Sequence, residues 1–204
     1  MTAAGKAVLF DYGNVLVRWD PRHLYRKLFS DPSEMDWFLS RVCTMAWHQR
    51  HDSGEPMAVT TAELIAEHPR YATEIAAWDS RFGEMIDGEI EGASELIDTL
   101  RAQGVKIGVL TNMPADQAWT CLSRWPRWDQ FDTVVVSGLI KAAKPGPHIY
   151  RVALAALELG PEAVFFVDDS ARNVAAARAL GLTAHLFTDA DDLANTLRAT
   201  GFLT

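Results

Sequence analysis

The sequence predicts an α/β fold: a parallel sheet with helices packed on it and a helical segment inserted after the first strand. Three observations predict it. Short runs that are apolar at every position recur as Val8-Leu9-Phe10, Ile107-Gly108-Val109-Leu110, Val134-Val135-Val136 and Val164-Phe165-Phe166-Val167. Such runs belong to strands buried on both faces, as in a parallel sheet. Helical stretches between them end at Gly104, Gly160, Gly181 and Gly201, where glycine suits a left-handed C-terminal cap, so strand and helix alternate as βαβ units. Residues 17–88 contain no such run but are rich in helix formers and aromatic side chains.

In chain order, residues 7–11 form the first strand, and 17–88 are expected to hold three or four helices. Asp31-Pro32-Ser33-Glu34 reads as a helix start, because proline suits the first turn and acids suit the positive end. Thr60-Thr61-Ala62-Glu63 reads as a capping box with Thr60 as the cap. The regular part then follows: helix 92–103, strand 106–111, helix 115–124, strand 133–137, helix 147–159, strand 164–168, helix 170–180, strand 184–187 and helix 190–199. A structureless loop of 70 residues is improbable in a compact domain. The expected organisation is therefore a core of residues 1–16 and 89–204 and a cap of residues 17–88, set over the carboxyl edge of the sheet.

Of 204 residues, 49% are hydrophobic, enough for a sizeable core. Acids outnumber lysine and arginine by 27 to 19, a net charge of −8. Nucleic-acid binding needs cationic groups to displace phosphate counterions, so that balance points away from it. A small anionic substrate remains compatible. The opening Met-Thr-Ala-Ala-Gly-Lys runs straight towards the first strand, so no signal peptide is expected. No apolar run approaches the roughly 18–20 residues of a membrane span. Cys43 and Cys121 lack metal-like spacing and read as free buried thiols of a cytoplasmic protein. Monomer and homodimer are equally open.

The residues that end the apolar runs carry the chemistry. They are Asp11, Thr111-Asn112, Ser137 and Asp168-Asp169, with Lys144 in the loop after the strand at 133–137. Parallel strands bring such ends to one rim, where open α/β sheets place ligands. Each residue alone has a plainer reading: a strand-ending acid, turn chemistry at Thr111-Asn112, a solvated lysine, a helix cap at Asp169-Ser170. Their coincidence on one rim favours phosphoryl transfer. Clustered carboxylates repel one another and are best stabilised by a hard cation with oxygen ligands, usually Mg2+. A hydroxyl, backbone N–H groups and an ammonium hold the equatorial oxygens of a transferring phosphate. Ser137 is given no role. His48 and His51, three apart, are expected to serve surface or core rather than metal, and Trp119, Trp125 and Trp128 are expected to pack. Trp19, Trp47 and Trp78 are candidates for the cleft or for packing alone.

The ordered set Phe10-Asp11-Tyr12-Gly13-Asn14-Val15, Leu110-Thr111-Asn112, Lys144-Pro145 and Phe166-Val167-Asp168-Asp169-Ser170 resembles the haloacid dehalogenase-like (HAD) superfamily across nearly the whole chain. Within 17–88, Ala46-Trp47-His48-Gln49 and Ser53-Gly54-Glu55 look similar to its sugar-phosphatase branch, which includes α-D-glucose-1-phosphate phosphatases and is related to the N-terminal phosphatase domain of epoxide hydrolases. The resemblance implies a Rossmann-like core of three α/β/α layers with a small inserted helical cap. It also implies a Mg2+-dependent phosphatase of a small phosphorylated metabolite, a sugar phosphate by branch. Asp11 would be the nucleophile, forming an aspartyl-phosphate. Asp11, the Gly13 carbonyl and Asp169 would bind Mg2+, with Asp168 in support. Thr111 and Asn112 would bind phosphate, and Lys144 would neutralise charge and orient Asp11.

Position 13 departs from the pattern of most such phosphatases, which carry a second aspartate there as general acid and base. That help is worth roughly 10²–10⁴-fold in rate, so a leaving group needing little protonation, such as a sugar 1-phosphate, fits best. His48 or His51 is the expected alternative source of the proton. Two further readings stand beside the phosphatase: a metal-independent haloacid dehalogenase, which also lacks that acid, and a catalytically weak phosphate-binding or scaffold relative. The Asp168-Asp169 pair weighs against the dehalogenase, because metal-free chemistry gains little from extra anions beside the nucleophile.

Overall fold

In the computed structural model, which describes residues 5–204, the chain starts with strand β1 (Ala7–Phe10) and turns back into a short strand β2 (Val17–Trp19). The residues before Gly5 in the opening stretch lie outside those described. Five helices follow: α1 (Arg22–Tyr25), α2 (Pro32–Arg41), α3 (Met45–Asp52), α4 (Met57–Glu67) and α5 (Ala72–Ser80). Strand β3 (Ile86–Glu89) then pairs antiparallel with β2, with Val17 opposite Glu89 and Trp19 opposite Ile86. The remainder alternates: α6 (Ala93–Ala102), β4 (Lys106–Thr111), α7 (Ala118–Leu122), β5 (Thr133–Val136), α8 (Ser137–Ile140), α9 (Pro147–Leu157), β6 (Val164–Asp168), α10 (Ala171–Ala179), β7 (Thr183–Leu186) and α11 (Ala190–Ala199).

The five-stranded sheet has the order β5-β4-β1-β6-β7, and every pairing is parallel. The apolar runs explain its layers. Successive side chains of a strand point to opposite faces. Val8, Phe10, Ile107, Val109, Phe165 and Val167 therefore face one apolar layer, with Leu96, Ile97 and Leu100 of α6 and Leu193 and Leu197 of α11. Leu9, Leu110, Val164 and Phe166 face the other, with Ile149, Tyr150 and Ala153 of α9 and Val174 and Ala177 of α10. The result is the expected three-layer α/β/α sandwich. The first layer continues into α1–α5 through Leu24, Tyr25, Phe38, Ile75 and Trp78.

Several local expectations are corrected. The helix start at Asp31 holds, its side chain accepting from Ser33 N–H at 2.9 Å. Thr60 does not cap a helix: α4 already begins at Met57, after Pro56. The free N–H of Met57 donates to Asp116 Oδ2 at 3.0 Å, so a distant residue performs the capping. Gly160 does not end a helix in the left-handed region. Helix α9 stops at Leu157, and Glu158 takes that conformation with φ 58°. The helix expected over 115–124 opens with a 3₁₀ turn and is helical only over Ala118–Leu122. Residues 17–88 hold five helices and a strand at their start, because β2 is too short and too exposed on alternate positions to show as an apolar run. Trp125 is buried as expected, but Trp119 is 59% exposed and meets Trp128 edge-on at the surface. Cys43 and Cys121 are buried free thiols.

Candidate active site

Strand β1 is paired on both sides, Phe10 lying beside Val109 of β4 and Val167 of β6. The strand ends where Asp11 N–H donates to the Val167 carbonyl at 2.8 Å. Asp11 is thereby fixed at the carboxyl rim, between the end of β4, which carries Thr111 and Asn112, and the end of β6, which carries Asp168 and Asp169.

Lys144 joins these strands. Its ammonium lies 2.9 Å from Asp11 Oδ1 and 2.7 Å from Asp168 Oδ2, and donates to the Leu110 carbonyl at 2.8 Å. All three donor directions are used. The Asn112 side chain holds the lysine's backbone from both sides, accepting from Lys144 N–H at 2.8 Å and donating to its carbonyl at 3.0 Å. Asp168 is fully buried, and its oxygens also accept from Ser170 N–H at 2.8 Å and from Asn173 Nδ2 at 3.0 and 3.1 Å. Burial pushes the Asp11 carboxyl well above the usual carboxylate range, against the pull of Lys144. Burial draws the Lys144 ammonium down, but Asp11 and Asp168 outweigh it and leave the group raised. Burial and then Asp168 raise Asp169.

One carboxylate oxygen from each of Asp11, Asp168 and Asp169 lies within 4.8 Å of the others. Asp168 is already saturated by Lys144, Ser170 and Asn173, so Asp11 and Asp169 present the freer oxygens. After Asp11 the chain reverses: Asn14 adopts φ 58° and its Oδ1 accepts from Trp19 N–H at 3.0 Å, which draws Trp19 over Gly13. Tyr12 is pinned behind, its hydroxyl donating to the Cys121 carbonyl at 2.7 Å.

A cavity of about 220 Å³ opens above the carboxylates. Asp11, Gly13, Thr111, Asn112 and Asp169 line its floor, and Trp19, His48, Asp52 and Phe82 line it from the inserted segment and its flanks. The predicted site residues are thus brought together around one space, Lys144 and Asp168 lying behind its wall. His51 is not among the lining residues; its Nε2 meets Thr60 Oγ1 at 2.5 Å. Trp78 is wholly buried and packs on Tyr25, Trp47 and His48, so of the three cleft candidates only Trp19 reaches the cavity. Ser137 has a structural task, its Oγ accepting from Met113 N–H at 3.0 Å. Asn173 and Asp52 did not emerge as site residues from the sequence. Asn173 is five residues from Asp168 and one turn into α10, and Asp52 follows His48 by four, the helical spacing that could have drawn attention to it.

Comparisons with known proteins bear on the family and the fold. Residues 52–186 match the model of the haloacid dehalogenase-like hydrolases. A sesquiterpene phosphatase of Aspergillus oryzae is 26% identical over 200 residues, covering 93% of each chain. A phosphorylated carbohydrates phosphatase of Thermotoga maritima is 26% identical over 183 residues, covering 87% of this chain and 82% of its own. Among solved structures, a HAD family enzyme of Bacteroides thetaiotaomicron, in complex with magnesium and inorganic phosphate, superposes with a TM-score of 0.71 at 20% identity, covering 96% of this chain and all of its own.

Proposed function

The chain belongs to the haloacid dehalogenase-like hydrolase family, and from that premise we propose that it is a Mg2+-dependent phosphatase acting on a small phosphorylated metabolite, a sugar phosphate by preference. The observation that carries the reading is the convergence of Asp11, Lys144 and Asp169 at the rim of one small cavity. Phosphatases among the relatives of similar length support it. The donor set fits a hard cation: three carboxylates meet within 4.8 Å, and among the described residues Lys144 is the cation paired with them. Asp11, the Gly13 carbonyl and Asp169 would hold Mg2+, with Asp168 positioning Lys144 and supporting the ion's surroundings. When bound, the ion would neutralise the substrate's phosphate so that one anion can approach another.

The chain's own residues supply the remaining steps. Thr111 and the Asn112 N–H bind phosphate oxygens, where charge gathers in the transition state. Lys144, held at three points, fixes Asp11 and balances its charge. Asp11 attacks phosphorus and displaces the alcohol, and water then releases phosphate from the aspartyl-phosphate. The cavity of about 220 Å³ lies below the roughly 300–1,000 Å³ of common ligand pockets, which favours a compact substrate. The carboxylate cluster argues against metal-free dehalogenation. The two buried free thiols support a cytoplasmic setting; among the described residues no helix is long and apolar enough to cross a membrane. A phosphate-release screen over phosphorylated metabolites, with Mg2+ and with EDTA, tests the reading. Turnover of at least one compound should require Mg2+ and vanish in Asp11→Asn. Release that survives EDTA or Asp11→Asn would overturn it, as would inactivity on every compound.

A further inference from the structure

The reaction needs a proton at the leaving oxygen, and position 13 has no side chain to give one. Nothing in the backbone demands glycine there. A Cβ built at Gly13 would meet only Trp19 Cβ, at 3.7 Å, which is ordinary contact. The space left open lies under Trp19. The Trp19 ring in turn stacks on His48, with centroids 5.5 Å apart and planes at 20°. His48 and Asp52, one turn apart on α3, place Nε2 and Oδ1 3.6 Å from each other. Both residues are buried, at 4% and 6% exposure, and both line the cavity that holds Asp11. His48 Nδ1 and Asp52 Oδ1 have no hydrogen-bond partner among the described residues. Buried polar atoms in folded proteins are nearly always partnered, and a substrate seated in the cavity would supply the partner.

We infer that Asp52, steadied by His48, is the general acid and base of this enzyme, replacing from the helical insert the carboxyl that Gly13 lacks. The inference rests on the phosphatase reading of the same cavity. In the first step an Asp11 oxygen bonds to phosphorus, the bond from phosphorus to the leaving oxygen breaks, and its electron pair takes the proton of the Asp52 carboxyl. The alcohol leaves neutral. In the second step water attacks the phosphorus, the Asp52 carboxylate takes its proton, and the pair of the breaking bond returns to Asp11. Phosphate leaves, and Asp52 is again protonated.

The surroundings favour Asp52 over its neighbours. Burial pushes its carboxyl up to about 7, against the pull of Lys144, near the value a proton shuttle needs at neutral pH. Burial, and then His51, draw His48 down to about 3, so its imidazole is neutral, with one N–H and one acceptor nitrogen, and orients the acid rather than serving as it. The other titratable groups lining the cavity are occupied or unsuited. Asp11 is the nucleophile, Asp169 faces the cation site, the Tyr12 hydroxyl is engaged with Cys121, and burial pushes the Cys121 thiol up to about 12. Of the elements packed on α3, α4 brings Glu63, tied to Arg50 at the surface, and α8 leads to Lys141, which packs beside Gly54.

The test compares an alkyl phosphate turned over by the wild-type protein with p-nitrophenyl phosphate, whose leaving group needs no proton. Asp52→Asn should lower kcat/KM for the alkyl phosphate about 10²–10⁴-fold. With p-nitrophenyl phosphate it should give a burst of one equivalent of p-nitrophenolate and a slow second phase, with phosphorylated Asp11 accumulating. His48→Gln should cause a smaller loss with the same selectivity for the alkyl substrate. Should Asp52→Asn fail to fold, the wild-type pH profile decides: an alkaline limb near pH 7 for the alkyl ester and none for the aryl ester. Equal loss on both substrates without a burst, no loss on either, or the same limb for both would overturn the assignment. A wild-type protein that releases phosphate from no ester in the screen removes the phosphatase reading, and this assignment with it.

Discussion

Replacing Lys144 by methionine should separate the electrostatic role of this residue from its bulk. Methionine keeps most of the side-chain volume but leaves the Asp11 and Asp168 carboxylates, now 2.9 and 2.7 Å from an ammonium, without a cation, and the Leu110 carbonyl without a donor. Removing one partner of a buried pair costs about 3–5 kcal/mol. Lys144 serves two carboxylates, so the upper part of that range is expected in EDTA at pH 8. At roughly 2–4 °C per kcal/mol for a chain of this size, the melting temperature should fall by roughly 8–20 °C. The sign with pH follows from the carboxyl groups. Burial already raises Asp11, and losing Lys144 raises it further, so the folded variant prefers the protonated acid. The cost exists only where the unfolded carboxylates are ionised, above about pH 4. It should grow from pH 5 to pH 8 and shrink on acidification. Mg2+ should recover part of the loss, because a cation bound to the folded state stabilises it by mass action. Urea unfolding at both pH values, with and without Mg2+, reads all three effects. Equal midpoints for the two proteins at pH 8, or a gap that does not narrow at pH 5, would refute the charge argument.

Asp52→Asn should change stability in a pH-dependent way that is independent of turnover. A carboxyl raised from 3.8 to about 7 by burial costs the folded state nothing at low pH and as much as roughly 4 kcal/mol once pH exceeds its folded value. Thermal melts should therefore coincide near pH 4 and favour the variant above pH 7. Gly54→Ala should destabilise by about 1–3 kcal/mol. Its φ is +95°, and a Cβ would approach Lys141 Cγ to 2.7 Å and the Gly138 carbonyl to 3.1 Å. Urea midpoints measure that cost, and a rise in KM would show α3 lifting from α8.

The sheet was legible because both its faces are covered. Burial on two sides leaves no polar alternation, so Val164-Phe165-Phe166-Val167 announces itself, and the chemistry-bearing residues follow as the first polar positions after each run. Helix α2 was legible from its start at Asp31-Pro32, and α11 from the left-handed Gly201 just past its end. What the sequence hid depends on distant partners. The N-terminus of α4 is capped by Asp116, 59 residues away, and no local pattern can show that. Strand β2 exists because Asn14 reverses the chain and β3 returns to meet it, although Val17-Arg18-Trp19 has little strand character alone. Asp52 was hidden for a related reason. On a helical wheel it is an ordinary acid at the end of α3, and only the packing of the insert over the rim buries it in the cavity that Asp11 also lines.

The ribbon of β2 and β3 has a consequence for how such a protein can change. It brings residues 17 and 89 side by side, so the 71 residues between them leave and return through one narrow doorway. A module with adjoining ends can be traded for another without re-threading the sheet. Its replacement must still cover the apolar layer that Leu24, Phe38 and Trp78 now share with the strands. Exchanging the module would alter which molecule is admitted and which group lends the proton, while the floor that carries Asp11, Thr111, Lys144 and Asp169 stayed as it is. On the proposed reading, the floor with its carboxylates and the insert above it are separable parts, and new specificities are best sought by recombination at that doorway.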